Sequence, residues 1–280
     1  MLSSRQLSLC AAVLLLQAAC SMRSLDRLGS ASGPPPPADA GDPPDLAVEI
    51  DAPALPMDGN MVTSDARADT PAPVSKQVFF IVGSVSLSAA DGAIQKRLSD
   101  RGLDVALVDD SEVAGVDVTG AALVVISKTA RTAAVGARFR TSPQPVMLWD
   151  QLLYDEMGMV DAIEGRGGVT PNLRNVRIDA QGNPLAAGLR GQPAVMMNFG
   201  DMGWGMPGSS ATVIASLPGQ VNQAAIFCYE TGARMAALNA PARRLGFFLT
   251  ESSAADLTPE GWALFEAALT WSLGGASAFP

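Results

Sequence analysis

QVFFIVGSVSLSAADGAIQKRLSDRGLDVALVDD, residues 77–110, decides the fold. Its first six residues form a continuous run suited to a strand covered on both faces. The loop 83–87 then leads to Ser88, a good N-cap with Asp91 three residues on. Ala90, Ile94 and Leu98 lie on one helical stripe that ends at Gly102. Residues 105–108 make a second strand. Strand, helix, strand in this compass is the start of a βαβ unit, whose crossover is right-handed and leaves the helix on one face of a parallel sheet.

Working outward, residues 122–126 and 145–149 read as the third and fourth strands, with helical segments between them. This βαβαβ series predicts an α/β fold: a flavodoxin-like three-layer sandwich with a mostly parallel, doubly wound sheet. The second half is less regular. Residues 176–178, 194–198, 211–217, 224–229 and 244–250 read as strands, several separated by Gly, Pro and Asn turns, which suggests hairpins and antiparallel edge strands. A helix closes the chain, with Thr258 as N-cap, Pro259 in the first turn, and Trp262, Phe265, Leu269 and Leu273 on one stripe. Trp262 and Trp271 are expected to pack.

The amino end has a different character. Arg5, the apolar run 7–16 and small residues ending at Cys20 fit an export signal, and the run is about half the ~20 residues a membrane-spanning helix needs. Leu16-Gln17-Ala18-Ala19-Cys20 resembles the bacterial lipobox, with Gln17 where an aliphatic residue is usual. The expectation is lipidation at Cys20 and a place in the bacterial cell envelope, anchored outside the cytoplasm; the alternative is ordinary cleavage and secretion. Residues 21–75 form a Pro/Ala/Asp-rich linker: ten of the 20 prolines fall between Pro34 and Pro73. So little apolar surface cannot offset the entropy of ordering, and a spacer is expected. The folded domain is assigned to residues 76–280.

The net charge of −9 divides into −5 for residues 1–75 and −4 for the remainder. No basic stripe is present to displace counterions from phosphates, which excludes nucleic-acid binding. The three cysteines are Cys10, Cys20 and Cys228, so no disulfide forms inside the domain.

The order of elements resembles the class I glutamine amidotransferase-like superfamily, especially its ThuA-like branch. The similar stretches are residues 77–110, 122–127, Asn183-Pro184-Leu185-Ala186-Ala187-Gly188-Leu189, and 243–250 with the terminal helix. The resemblance implies an amidotransferase-like α/β fold. It also implies that the ancestral chemistry is gone. The Pro-Leu-x-x-Gly-Leu segment is often preceded by His in such relatives and here by Asn183. The last strand often leads into Gly-His and here leads to Glu251-Ser252-Ser253. The nucleophilic Cys of true amidotransferases is replaced at the corresponding turn by Trp149-Asp150-Gln151.

The chain contains no histidine, the usual proton shuttle for a Ser or Cys nucleophile. Cys228 lies in an apolar run and reads as a small hydrophobe. Ser127 and Lys128 are adjacent at a strand end and point apart. Catalysis by paired carboxylates remains open, with Asp109, Asp110, Asp150, Glu230 and Glu251 just past strands; Asp150 and Glu251 are the candidate catalytic residues. Asp179-Ala180-Gln181-Gly182-Asn183 looks like half a calcium loop without its downstream acid and reads as a turn. Gly83-Ser84 and Gly165-Arg166-Gly167-Gly168 carry no Walker or dinucleotide fingerprint, so no cofactor and no metal are expected.

Open α/β sheets bind ligands beyond the carboxyl ends of their strands. That rule brings the loop 83–87 with Gly83 and Ser84, Ser127, and the run Trp149-Asp150-Gln151 with Tyr154 together as the first candidate ligand site. The glycine-rich loop 200–207, where Trp204 offers a sugar-stacking surface, is the second. Three functions stay open: a noncatalytic envelope module that binds a glycan or envelope protein partner, a carbohydrate-active hydrolase using paired carboxylates, and a structural component of a surface assembly.

Overall fold

The computed structural model describes residues 75–275. The signal, Cys20 and the proline-rich linker lie outside the described residues. The expected α/β class is observed. The strands are β1 (Gln77–Val82), β2 (Asp104–Asp109), β3 (Leu123–Ile126), β4 (Val146–Leu148), β5 (Gly167–Leu173), β6 (Arg177–Ile178), β7 (Gly200–Gly205), β8 (Thr212–Ser216), β9 (Ala224–Tyr229) and β10 (Arg244–Gly246). The helices are α1 (Ala89–Asp100), α2 (Thr132–Val135) and α3 (Pro259–Ser272).

One sheet joins the strands in the order β2-β1-β3-β4-β10-β9-β7-β5, with β8 paired to β9 and β6. The first five are parallel neighbours. From β10 onward every pairing is antiparallel. The chain steps from β1 out to β2 and returns to place β3 on the other side of β1, the switch of direction typical of doubly wound sheets.

Alternation along β1 divides the core. Val78, Phe80 and Val82 face the layer containing α1 and α3, where Ile94, Leu98, Phe265 and Leu269 are buried with them. Ile81 faces the opposite layer with Val135, Phe139 and Tyr154. Both main helices start at the expected caps. Ser88 Oγ accepts the Asp91 N–H at 3.1 Å, and Thr258 Oγ1 accepts the Gly261 N–H at 3.1 Å. Each bond satisfies an amide that the first turn leaves without a partner, worth about 1 kcal/mol. Trp262 and Trp271 are half-buried at the margin of the α3 stripe. Arg97 stacks over the Trp262 ring and Arg243 over the Trp271 ring.

Several expectations are corrected. The connection from β2 to β3 holds only a 3₁₀ turn, Val113–Gly115, and that from β3 to β4 only the single turn of α2. Loops rather than long helices therefore cover that face. Residues 194–198 are not a strand: Ala194 and Met196 make isolated bridges, and the Met197 and Asn198 amides bond to Asp256. The last strand stops at Gly246, although the chain stays buried to Leu249.

The glycine-rich stretch 200–207, read as a loop, instead contributes β7, which pairs with β5, a strand that begins in the glycine-rich stretch 165–168. Glycine is unfavourable in strands, but here it makes room. Gly168 lies under the Trp204 indole, and Gly205 packs closely against Phe227 and Tyr154.

Cys228 is buried in β9. Burial, with the Glu230 carboxylate adding to it, pushes its thiol up to about 12, so almost no thiolate exists at neutral pH. The Cys228 peptide of the native protein is expected to label with iodoacetamide at least about 100-fold more slowly than that of the unfolded chain, read by mass spectrometry. Rapid labelling of the native state would show an open route to the thiol.

Candidate functional site

At the switch point between β1 and β3, where an open sheet would offer a crevice, the chain fills it with its own polar groups. Asp91 is buried on α1 and accepts the Ser127 hydroxyl at 2.6 Å and the Thr129 hydroxyl at 2.8 Å. Thr129 Oγ1 also accepts the Gly83 N–H at 3.2 Å. A Cβ at Gly83 would run into the Thr129 carbonyl, so glycine is required for this close approach. Ser84 is exposed, and its hydroxyl accepts the Ser86 N–H. Of this part of the first candidate site, Gly83 and Ser127 are structural and Ser84 alone faces outward.

Trp149 and Tyr154 are likewise not available to a ligand. Trp149 is 2% exposed and its ring contacts those of Phe80 and Phe265. Tyr154 is fully buried on the opposite face, where its hydroxyl donates to the Phe247 carbonyl at 3.1 Å. Burial raises its pKa far beyond the physiological range. Trp204 lies on β7 and not in a loop, half-buried, with its Nε1 enclosed and without an acceptor.

The carboxylates expected past the strand ends separate into different roles. Glu230 follows β9, which runs antiparallel to β10, so it emerges at the opposite edge of the sheet from Glu251. There it accepts from Trp271 Nε1 and Arg243 Nε, each at 3.0 Å. Asp109 accepts the Ser111 hydroxyl at 2.6 Å. Asp110 is buried against Arg131 at 2.5 Å, and that guanidinium holds its carboxyl below the usual range. Asp179 accepts from Arg177 and Ser216, as a turn residue would.

Asp150 and Glu251 do follow neighbouring strands, β4 and β10. Asp150 is 0% exposed: Oδ1 accepts Lys128 Nζ at 2.7 Å and the Leu152 N–H at 3.1 Å, and Oδ2 accepts the Thr132 hydroxyl at 2.8 Å. Glu251 is exposed and lines an open cavity of about 290 Å³ with Lys128, Val169, Asp201, Thr250 and Ser252. The two are therefore not an accessible pair; Lys128 separates a buried anchor from a solvated rim. A second cavity of about 310 Å³ lies under the loop from Gln151 to Gly167.

The sequence matches no family model and no curated protein. Among solved structures, the chain is similar to a glutamine amidotransferase from Thermotoga maritima at 11% identity and a TM-score of 0.44, over 71% of this chain and 98% of that one. It is similar to a putative ThuA-like protein from Bacteroides uniformis at 9% identity and a TM-score of 0.45, over 75% of this chain and 95% of that one. Likeness at this level assigns no activity, so function rests on the geometry above.

Gln151 belongs to the first candidate site and β7 to the second, but the face of β5 on which Gln151 packs was not marked by sequence reading. Val169 and Gly203 are paired, and Gly167 and Gly205 are paired, so these side chains share one face of the β5–β7 pair. Gln151 packs on it: a Cβ at Gly167 would stand 2.7 Å from the Gln151 carbonyl oxygen. The signal in the sequence was Gly203 and Gly205 flanking Trp204 in β7, whereas the glycines of β5 are adjacent, Gly167 and Gly168. Low β-propensity concealed it.

Proposed function

We propose that this chain is an exported, noncatalytic binding module, tethered through Cys20 and its spacer, that takes a protein partner on the surface around residues 151–169. The burial of Asp150, with both carboxylate oxygens engaged, carries this reading. A glycosidase needs two carboxyl groups roughly 5–10 Å apart that both reach the substrate, and the candidate pair has only Glu251 in contact with solvent.

Glycan binding loses its support for a related reason. Its stacking surfaces were Trp149, now in the core, and Trp204, pressed against Gly168. Around residues 151–169 the exposed apolar side chains are aliphatic, Leu152, Ile163 and Val169, with charged residues around them, while the one exposed large aromatic among the described residues, Phe199, stands under Arg174. Apolar side chains rimmed by polar ones mark protein interaction surfaces.

Photo-crosslinking residues placed at Leu152 and Ile163 of the full chain, in its own cells, are expected to give one shared protein adduct. Lys96, exposed on α1 on the opposite layer, is expected to give none. Equal adducts at all three positions would overturn the reading, as would polysaccharide turnover that depends on Asp150 and Glu251. Cys20→Ser is expected to move the protein from the membrane to the soluble fraction.

A further inference from the structure

The two outer strands of the sheet, β2 and β5, are guarded differently. β5 carries Pro171, a register shift between Thr170 and Leu173, and Asn172 at a φ of 60°, devices that stop another strand from pairing with an edge. β2 carries none of them. Val105, Ala106, Leu107 and Val108 run without a break, and its charges stand only at its ends, Asp104 and Asp109. The Asp104 amide donates to the Lys76 carbonyl and the Asp110 amide to the Val82 carbonyl, each at 2.9 Å. The even-numbered residues of β2 therefore bond to β1, and the N–H and C=O groups of Val105 and Leu107 point the other way. No other strand or loop backbone among the described residues bonds to them. Their side chains are half-buried against the core layer of α1.

The chain itself supplies a fitting strand. The described residues begin at 75, and β1, the neighbour of β2, starts two residues later. Before it in the sequence, Asp45-Leu46-Ala47-Val48-Glu49-Ile50-Asp51 lies between Pro44 and Pro53 and holds neither proline nor glycine. Leu46, Val48 and Ile50 alternate with Ala47 and Glu49, the period of a strand with one apolar face. We propose that this segment pairs with the free edge of β2 in the same molecule, as an added strand. Residues 52–76, 25 in all, reach up to about 80 Å when extended, against the roughly 20 Å from that edge back to the start of β1. Such a connection holds the segment near the edge at an effective concentration on the order of millimolar, an advantage that a second copy or a free peptide lacks. Residues 21–44 are left as the spacer behind Cys20.

Charge selects the register. Neighbouring residues of paired strands share a face, so covering the core requires the apolar side of the segment beside Val105 and Leu107. In an antiparallel pair, Ile50 beside Val105 and Val48 beside Leu107 would set Asp51 against Asp104, and Val48 beside Val105 with Leu46 beside Leu107 would set Glu49 there instead. In a parallel pair, Val48 beside Val105 and Ile50 beside Leu107 place Ala47 next to Asp104 and Glu49 next to Ala106, with no acid opposite an acid. The Glu49 N–H would then donate to the Val105 carbonyl, and the Ala47 and Glu49 carbonyls would accept the Val105 and Leu107 N–H groups.

Amide hydrogen exchange of the full chain, read residue by residue by NMR, tests this. Val105 and Leu107 are expected to be protected. Glu49→Pro removes a donor to the edge and is expected to speed exchange at both by at least about tenfold, while Phe80 and Val125 keep their protection. Glu49→Thr is expected to retain it. In a second measurement, Glu49→Cys combined with Ala106→Cys is expected to form an intramolecular disulfide on mild oxidation, identified by mass spectrometry of the unreduced peptides. Glu49→Cys with Val169→Cys is expected to form none. Fast exchange at Val105 and Leu107 in the parent, protection unchanged by Glu49→Pro, no link between positions 49 and 106, or a link that joins two molecules overturns the proposal.

Discussion

Replacing Arg244 by methionine is expected to destabilise the folded chain by about 3 kcal/mol or more, measured by denaturant unfolding. Arg244 opens β10 and is completely buried, and it enters no salt bridge among the described residues. Its guanidinium instead donates to backbone carbonyls: Nη2 to Ser142 at 2.6 Å, and Nη1 to Gln144 at 2.9 Å, Arg243 at 3.1 Å and Ala242 at 3.2 Å. These carbonyls belong to the turn before β4 and the turn before β10, two segments that must meet for the parallel pair to form. Burial pushes Arg244 down to about 10, which still leaves it charged at neutral pH.

Two effects oppose each other in that substitution. Methionine relieves the cost of holding a cation away from water, several kcal/mol in principle. It also strands several buried carbonyls at about 1–3 kcal/mol each, unless water enters. The second effect is expected to win because the Ser142, Gln144 and Ala242 carbonyls would lose their donor, while only the Arg243 carbonyl keeps another, the Val146 N–H. For a domain stable by roughly 5–15 kcal/mol, the loss is a large part of the total. Arg244→Lys, with one ammonium group, is expected to recover only part. A methionine variant as stable as the parent would mean that the desolvation cost outweighs the bonds.

Asp150→Ala is expected to cost about 3–5 kcal/mol, the range for breaking a buried charge pair. It leaves the Lys128 ammonium, 17% exposed, without its counter-charge, and removes the acceptor from the Thr132 hydroxyl. Those bonds fix the residues just past β3 and the start of α2 against the end of β4, so the loss is expected to loosen the whole carboxyl edge there. Asp150→Asn keeps the shape and is expected to cost less. The measurement also separates anchor from catalyst. Catalytic groups are commonly held at some expense to stability, so replacing one tends to leave a protein as stable or more so. An Asp150→Ala variant that unfolds no earlier than the parent would return the hydrolase reading to consideration.

The sequence and the structure agree where local and global preferences coincide. β1, α1 and β2 follow from one apolar run, one capped amphipathic stripe and another run, and their borders differ by at most a residue or two from those expected. α3 begins at its expected cap for the same reason. They diverge where tertiary contacts outweigh propensity. β5 and β7 contain five glycines between them, yet form strands because the Trp204 ring, Gln151 and the side chains of Tyr154 and Phe227 take the space a Cβ would need. Residues 194–198 have strand-like composition but meet the end of the 253–256 turn instead of a neighbour in the sheet.

The candidate site divides along the same line. By itself the sequence determined that this chain brings no histidine to any site, that an α/β sheet forms, and that polar residues collect past the ends of its parallel strands. These depend on composition and on short-range periodicity, which travel with the chain. Only the tertiary structure decided which of those polar residues face a ligand. Whether Trp149 lies in a pocket or between Phe80 and Phe265, and whether Asp150 meets solvent or Lys128, depends on partners far away in sequence. It also reversed the direction of β9 and carried Glu230 to the far edge of the sheet. Burial and strand direction are properties of the assembled layers, and the residues that acquire them carry no local mark of it.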